Sequence, residues 1–341
     1  MYKNILTKLT TRQDLTAEEI SDLIAAIARG EITDVQISGF QVALLMKSPT
    51  FSETVAIARA MRANCVQLKP KVNEPLMDTC GTGGGLSTFN ISTATAIVAA
   101  AAGIPVAKHG SRSISSLSGS ADVLEALGVN INLTPSQAES LIEQIGIAFL
   151  YAPLFHPVMC KVLPPETELG IKTIFYTIIG PLINPAFATR HIMGVYKLEL
   201  LDTVTQVAKE LGYSDALFVH GLDGLDEISL LGITRINELR NGEIKTYEIT
   251  PEQFGLKRCS LEDIKTGTPA VNAQVIRNVF SRKDIGPRRD AILINAAGAL
   301  LIGNRVNNFA DGIAMAAELI DSGAAGRKLE ALQKSSSAFL C

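Results

Sequence analysis

Apolar residues recur at helical spacing through the first 65 or so residues and in short strand-like runs after residue 70, so the chain divides by pattern alone. Ile20, Leu23, Ile24 and Ile27 fall at i, i+3, i+4 and i+7, on one helix face. Ahead of them Thr16 and Glu19 form a capping box, in which hydroxyl and carboxylate each satisfy a free backbone N–H, and Gly30 supplies the stop. A second helix is predicted over residues 35–46. A third follows the capping box of Thr50 and Glu53, with Val55, Ala58 and Met61 on its inner face. Three short helices leave an apolar side uncovered, so the pattern calls for a partner surface, either the rest of the chain or a second copy of it.

Beyond Pro70, apolar or β-branched runs at residues 75–78, 104–107, 148–151, 191–196 and 216–220 alternate with helical patterns. That alternation predicts a mostly parallel sheet covered by helices. Thr134, Pro135 and Gln137 mark a helix start as N-cap, N1 and N3. Asn241-Gly242, between runs at 236–239 and 244–249, predicts a hairpin and hence an antiparallel edge. Residues 291–301 are almost wholly apolar, which predicts a buried helix.

Composition narrows the class. The 341 residues carry 31 basic and 34 acidic side chains, a net charge of −3 with no block of one sign. A protein that coats nucleic acid is thereby excluded, and any anionic ligand must be met by local geometry. With 27 glycines and 5% aromatic residues the chain is neither disordered nor collagen-like. Five dispersed cysteines without a C-x-x-C pair fit neither a disulfide framework nor a zinc site, so a cytoplasmic location is expected. The start has no apolar h-region, and the most apolar stretch, 94–107, falls short of the ~20 residues a span needs. Neither a signal peptide nor a membrane segment is expected.

Four segments carry chemistry. Residues 78–85 read Asp-Thr-Cys-Gly-Thr-Gly-Gly-Gly, a glycine run between a strand and a helix. Such a loop brings backbone N–H groups close to an anion, and the following helix N-terminus adds partial positive charge. It is neither a Walker A loop nor a G-x-G-x-x-G fingerprint. Residues 87–93 add five short polar side chains at the mouth of the apolar helix, more than capping requires. Residues 108–120 hold Lys108, Arg112, two glycines and six serines in a strand-end loop suited to a phosphate or pyrophosphate. Asp226 and Glu227 follow the strand at 216–220, where an open α/β sheet places ligands and where paired carboxylates suit Mg²⁺.

In this order the segments resemble the anthranilate phosphoribosyltransferase family. The shared blocks are Asp-x-x-Gly-Thr-Gly-Gly from residue 78, Thr-Phe-Asn-Ile-Ser-Thr from 88 and the Lys-His-Gly-x-Arg-Ser block from 108. Gly-Pro-Leu-x-Asn-Pro from 180 and Asp-Gly-Leu-Asp-Glu at 223–227 complete them, so the likeness spans nearly the whole chain. The resemblance implies a fold of the nucleoside phosphorylase/phosphoribosyltransferase type. A small helical domain over 1–68, joined by part of 160–185, would stand beside a large α/β domain over 70–341, the site between them, in a homodimer formed through the helical part. It also implies transfer of phosphoribose from phosphoribosyl pyrophosphate to the amine of anthranilate, with Mg²⁺, in tryptophan biosynthesis. Donor binding would fall to Gly81, Gly84, Gly85, Thr88, Asn90, Ile91, Ser92, Thr93, Lys108, Ser113, Ser115, Ser116 and Ser120. The acceptor would meet Gly81, His109, Ser111, Arg112, His156, Glu166 and Gly180, and the metal Ser92, Asp226 and Glu227. No catalytic acid or base is assigned, because an aromatic amine is neutral at pH 7 and metal-bound pyrophosphate leaves readily.

The chain departs from the family pattern at four places. The glycine loop lacks its aspartate, Ser111 stands for an asparagine, and the run from Phe175 to Gly180 has one residue more than the family spacing. Glu166 stands where the family carries an arginine for the acceptor carboxylate, and a carboxylate there would repel it. Arg112 or Lys172 would then take over that contact. A paralogue acting on another amine or nitrogen base is the alternative, and a non-catalytic ligand- or nucleic-acid-binding relative a third reading.

Overall fold

The computed structural model describes residues 1–113 and 117–339. Four helices open the chain: α1 (Tyr2–Thr10), α2 (Ala17–Ala28), α3 (Asp34–Lys47) and α4 (Phe51–Ala63). The capping boxes at Thr16 and Thr50 form, and Thr33 makes another with Gln36. α1 is one helix more than the apolar spacing predicts. No side chain caps its start, and what holds it is tertiary: Ile5 and Leu9 are buried, and the Tyr2 hydroxyl donates to the Gln36 carbonyl at 2.7 Å.

The next elements are β1 (Met77–Asp78), α5 (Ile91–Ala101), β2 (Val106–Gly110), α6 (Ser120–Ala126), α7 (Pro135–Ile145) and β3 (Ile147–Tyr151). They lead to α8 (Ala152–Phe155), α9 (Met159–Leu169), a π-helix (Phe175–Ile179) and α10 (Gly180–Leu182). There follow β4 (Arg190–Gly194), α11 (Leu198–Glu210), β5 (Asp215–Gly221), β6 (Thr234–Arg240) and β7 (Glu243–Ile249). Helices α12 (Leu261–Ile264), α13 (Pro269–Phe280), α14 (Pro287–Ile302), α15 (Phe309–Asp321) and α16 (Ala324–Ser337) complete the described chain. None of the helices described is long and apolar enough to cross a membrane.

The strands form one sheet in the order β3-β2-β1-β4-β5-β6-β7. The first five run parallel, and β6 and β7 add the antiparallel hairpin, turned at Asn241 and Gly242 with both residues at positive φ. The order reverses between β1 and β4, because β2 and β3 extend on one side of β1 and the chain then returns to the other. In an open parallel sheet such a reversal leaves a crevice at the carboxyl ends of the strands.

Alternate residues of β4 and β5 serve two cores, as a period of two requires. Ile192, Leu217 and Val219 face α5 and α14, the latter buried at every position from Ala291 to Ile302. Met193, Ala216 and Phe218 join α2, α3, α4, α9, the π-helix and α11 in a second core. The apolar side of the helical bundle is thus covered by the α/β part of the same chain. The π-helix lies in the run expected to be one residue longer than the family spacing, and a wider turn is how a helix absorbs a single insertion.

Within the bundle Glu53, 1% exposed, accepts the amides of Leu15 and Thr50 at 2.9 and 2.8 Å and pairs with the nearly buried Lys47 at 2.8 Å. Removing the carboxylate takes the acceptor from two backbone amides and leaves the nearly buried Lys47 only the exposed Asp14, at 2.6 Å. Glu53→Ala is therefore expected to lower the unfolding free energy by about 3 kcal/mol. Urea denaturation measures it, and a loss below about 1 kcal/mol would contradict this account.

Candidate active site

The carboxyl ends of β1, β2, β4 and β5 open into a cleft of 1030 Å³, walled on the far side by α8, α9 and the π-helix. Gly81, Gly84, Gly85, Thr88, Asn90 and Ser92 line it from the first loop and from α5. His109, Ser111, Arg112, Ser113 and Ser120 line it after β2, and His156, Gly180, Asp226 and Glu227 complete the wall. Ser115 and Ser116 lie outside the described residues.

One carboxylate fixes the floor. Asp78 ends β1 and is fully buried. Its Oδ1 accepts the amides of Thr79 at 2.7 Å, Cys80 at 3.1 Å and His109 at 3.1 Å, and its Oδ2 accepts Asn184 Nδ2 at 2.7 Å. Asn184 also donates to the Ala107 carbonyl at 2.8 Å. The glycine loop, the end of β2 and the Gly-Pro-Leu-x-Asn-Pro segment are therefore tied to one another. On the other side, Thr82 binds the Gly194 carbonyl through its amide at 2.9 Å and its hydroxyl at 3.2 Å. Gly194 has no room for a side chain, since a Cβ there would overlap the Asp226 carbonyl. At Gly85 a Cβ would come within 2.6 Å of Asp226 Oδ1. These glycines let the first loop and the acidic turn approach each other backbone to backbone.

Asp226 and Glu227 stay partly open to the cleft while the protein desolvates them from behind. Burial pushes Asp226 up to about 6. Burial first, and the Asp226 charge second, push Glu227 up to about 8. The backbone amides of Gly83 and Ser92 act in the opposite direction, favouring ionisation of Asp226 and Glu227 respectively. Asn295 of α14 holds the turn, accepting the Ile228 amide at 2.9 Å and donating to the Ile228 carbonyl at 3.0 Å. Asn295 lines the cleft and was not among the sequence-predicted residues, although a lone amide in a wholly apolar helix is a readable signal. Asn272 of α13 was not predicted either; it lies behind the wall, buried and donating to Asn90 Oδ1 at 2.9 Å.

His109 and His156 meet edge to face, with ring centroids 4.9 Å apart. Both are buried, and none of their four ring nitrogens has a hydrogen-bond partner among the described residues. Burial holds His156 at about 4, and burial with the His156 and Lys108 charges holds His109 well below the usual imidazole range. Both rings are therefore neutral at pH 7, and they form part of the cleft wall while their nitrogens stay out of contact with solvent.

Four expected site positions do not line the cleft. Ile91 points into the core, and Thr93 is buried behind the wall. Lys108 is 2% exposed and reaches only from behind, its Nζ donating to Thr79 Oγ1 at 3.2 Å. Its ammonium acts on the loop as a field, without facing the cleft. Glu166 is the main correction. It turns away from the cleft into the bundle, 3% exposed, where Gln41 donates to it at 3.0 Å and the Thr173 hydroxyl donates to it as well. Burial raises its pKa, and its neighbours on the cleft wall are instead Pro164, Thr167 and Glu168. A helix presents successive residues about 100° apart, so matching an arginine in sequence did not fix the direction of this side chain.

The loop after β2 is pinned at its neck. Asp122 accepts the amides of Ser113 at 3.1 Å and Gly119 at 2.8 Å, and Arg112 pairs with Asp122 at 2.9 Å and Glu125 at 2.6 Å. The Arg112 guanidinium also lies over the Tyr151 ring at 5.7 Å.

Comparison with known proteins gives this architecture its class. Residues 3–65 match the helical bundle domain of a glycosyl transferase family and residues 73–326 match its a/b domain. The chain is 46% identical to the anthranilate phosphoribosyltransferase of Acetivibrio thermocellus, over 100% of this chain and 98% of that one. It is 46% identical to that of Desulfosudis oleivorans over 97% and 98%. The crystal structure of the Thermus thermophilus anthranilate phosphoribosyltransferase superposes with a TM-score of 0.90 at 38% identity, covering 98% of this chain and 99% of that one. The Saccharomyces cerevisiae enzyme in complex with PRPP and Mg gives 0.90 at 29% identity, covering 99% and 98%. The chain belongs to the anthranilate phosphoribosyltransferase family.

Two outcomes follow from the floor of the cleft. Asp78→Asn places an amide donor against amide donors, and is expected to cost about 3 kcal/mol in urea unfolding. A variant as stable as the parent would remove Asp78 from its central place. Asp226 and Glu227 stabilise the fold while protonated, and that contribution is lost as pH rises through about 6 and about 8. In metal-free buffer the melting temperature should fall across that window, and Asp226→Asn with Glu227→Gln should flatten the fall. An unchanged slope in the double variant would refute the assignment.

Proposed function

We propose that the chain transfers the 5-phosphoribosyl group of phosphoribosyl pyrophosphate to the amine of anthranilate, giving N-(5-phosphoribosyl)anthranilate and pyrophosphate, in tryptophan biosynthesis. One observation carries this reading. A single cleft joins a glycine loop, a helix mouth and a buried carboxylate pair to a pocket walled by two neutral imidazoles. The backbone amides of the glycine loop and the start of α5 suit the donor's phosphates. Ser113 and Ser120 add donors from the pinned loop, and Lys108 adds positive field from behind.

Asp226 and Glu227, with Ser92, are the residues that would hold Mg²⁺. They fit it as two adjacent carboxylates open to the cleft, with no lysine or arginine ion pair to either among the described residues. When bound, the cation supplies charge neutralisation for the departing pyrophosphate. In the reaction the amine nitrogen bonds to the anomeric carbon as the bond from that carbon to pyrophosphate breaks, the electron pair leaving with pyrophosphate, and the nitrogen then gives up a proton to solvent. His109 and His156 wall the acceptor's place with two neutral, mutually packed rings. Their task is orientation, since a neutral aromatic amine needs no prior deprotonation. With Glu166 outside the cleft, the carboxylate repulsion that argued for a different acceptor is absent.

The same reading takes residues 1–68 with part of 160–185 as one domain and 70–341 as the other. It includes a homodimer through the bundle, where Val35, Met46 and Phe51 stand exposed.

The test is loss of anthranilate fluorescence in the presence of phosphoribosyl pyrophosphate and Mg²⁺. Turnover is expected, and the double variant Asp226→Ala with Glu227→Ala should lose at least about 100-fold in kcat/KM. Mg²⁺ should raise the parent's melting temperature more at pH 8 than at pH 6, because the ligands must ionise to bind it. A folded enzyme without turnover would overturn the reaction, and full Mg²⁺-dependent activity in the double variant would overturn the metal site.

A further inference from the structure

We propose that Lys172, braced over Tyr176, binds the anionic substituent of the acceptor. The inference rests on the reaction proposed above, in which the acceptor is an aromatic acid. Such a ligand brings a carboxylate that needs a cation or several donors where water is excluded. Among the described residues, two cationic side chains stand on the cleft wall, Arg112 and Lys172. Arg112 has its charge matched by Asp122 and Glu125 and its plane stacked on Tyr151, so it serves the neck of its loop. Lys108 is buried behind the wall, and Lys197, over the Tyr196 ring at 5.5 Å, does not line the cleft.

Lys172 differs from all of these. It is exposed, lines the cleft and makes no ion pair among the described residues. Its ammonium lies 4.9 Å from the centroid of the Tyr176 ring, a contact that restrains the side chain without neutralising its charge.

The placement has a structural cause. Glu166 takes the Thr173 hydroxyl and the Gln41 amide inside the bundle, so the residue after Lys172 is anchored to α3. Lys172 is thereby left on the outward side of the turn, facing the cleft. The π-helix then begins at Phe175, and its wider turn carries Tyr176 onto the same wall. An ammonium held over a ring on the cleft wall, with its charge not neutralised by the protein, is what the carboxylate of an aromatic acid needs.

The experiment compares the parent with Lys172→Met and Lys172→Arg, using anthranilate and aniline, its analogue without the carboxylate. Lys172→Met is expected to raise the KM for anthranilate about tenfold or more. The preference for anthranilate over aniline in kcat/KM should shrink by a similar factor, while the KM for phosphoribosyl pyrophosphate stays within about twofold. Lys172→Arg should restore most of the loss, because the charge is kept. An anthranilate KM within about twofold of the parent in Lys172→Met would overturn the proposal and leave the reaction standing. Should the parent not turn over anthranilate at all, the reaction falls and Lys172 is judged by calorimetric titration of benzoate in the presence of phosphoribosyl pyrophosphate and Mg²⁺. Weaker benzoate binding to Lys172→Met supports the assignment, and equal binding, or none to the parent, overturns it.

Discussion

The Asp78 carboxylate accepts three backbone amides and one side-chain amide at a place with no exposed surface, and three segments distant in sequence take their positions from it. A buried charge is costly unless its lone pairs are filled, and here four donors fill them. The cost of leaving such a group short of partners in the interior is also what makes the arrangement unique. Any shift of the glycine loop, of β2 or of the segment at Asn184 would leave the charge under-bonded, so the three move together or not at all. Close approach at Gly81, Gly85 and Gly194 extends the same rigidity to the acidic turn.

On that floor the titratable groups are arranged so that little charge is present before ligands arrive. Two histidines are neutral, the Cys80 thiol is pushed up to about 12 by burial and by Asp78, and the carboxylate pair is held towards its protonated form. A cleft of this kind does not attract phosphates through net charge. It offers oriented amides, a cation held at a distance and a pair of latent ligands. This agrees with a chain whose overall charge is only −3.

Local chemistry was legible in the sequence and direction was not. The capping boxes, the Asn241-Gly242 hairpin, the five parallel runs and the buried helix at 291–301 each depend on neighbours in sequence, and each is present. α1 was missed because it lacks a cap and is held by contacts with α3. Glu166 was misread because side-chain facing depends on which partner lies across the helix, and Gln41 is 125 residues away. Lys108 was placed correctly in its loop but one layer too far forward, since alternation along β2 decides whether it meets the cleft or lies behind it. Asn184, Asn272 and Asn295 are single amides in apolar surroundings, and their importance appears only when their distant partners are known.

The π-helix also has a consequence for how this fold can vary. Its wide turn spans Phe175–Ile179, and just beyond it Asn184 reaches Asp78. A wider turn is how a helix takes up a single inserted residue, so a change of length in this wall of the cleft is decoupled from the hydrogen bonds that hold its floor at Asp78.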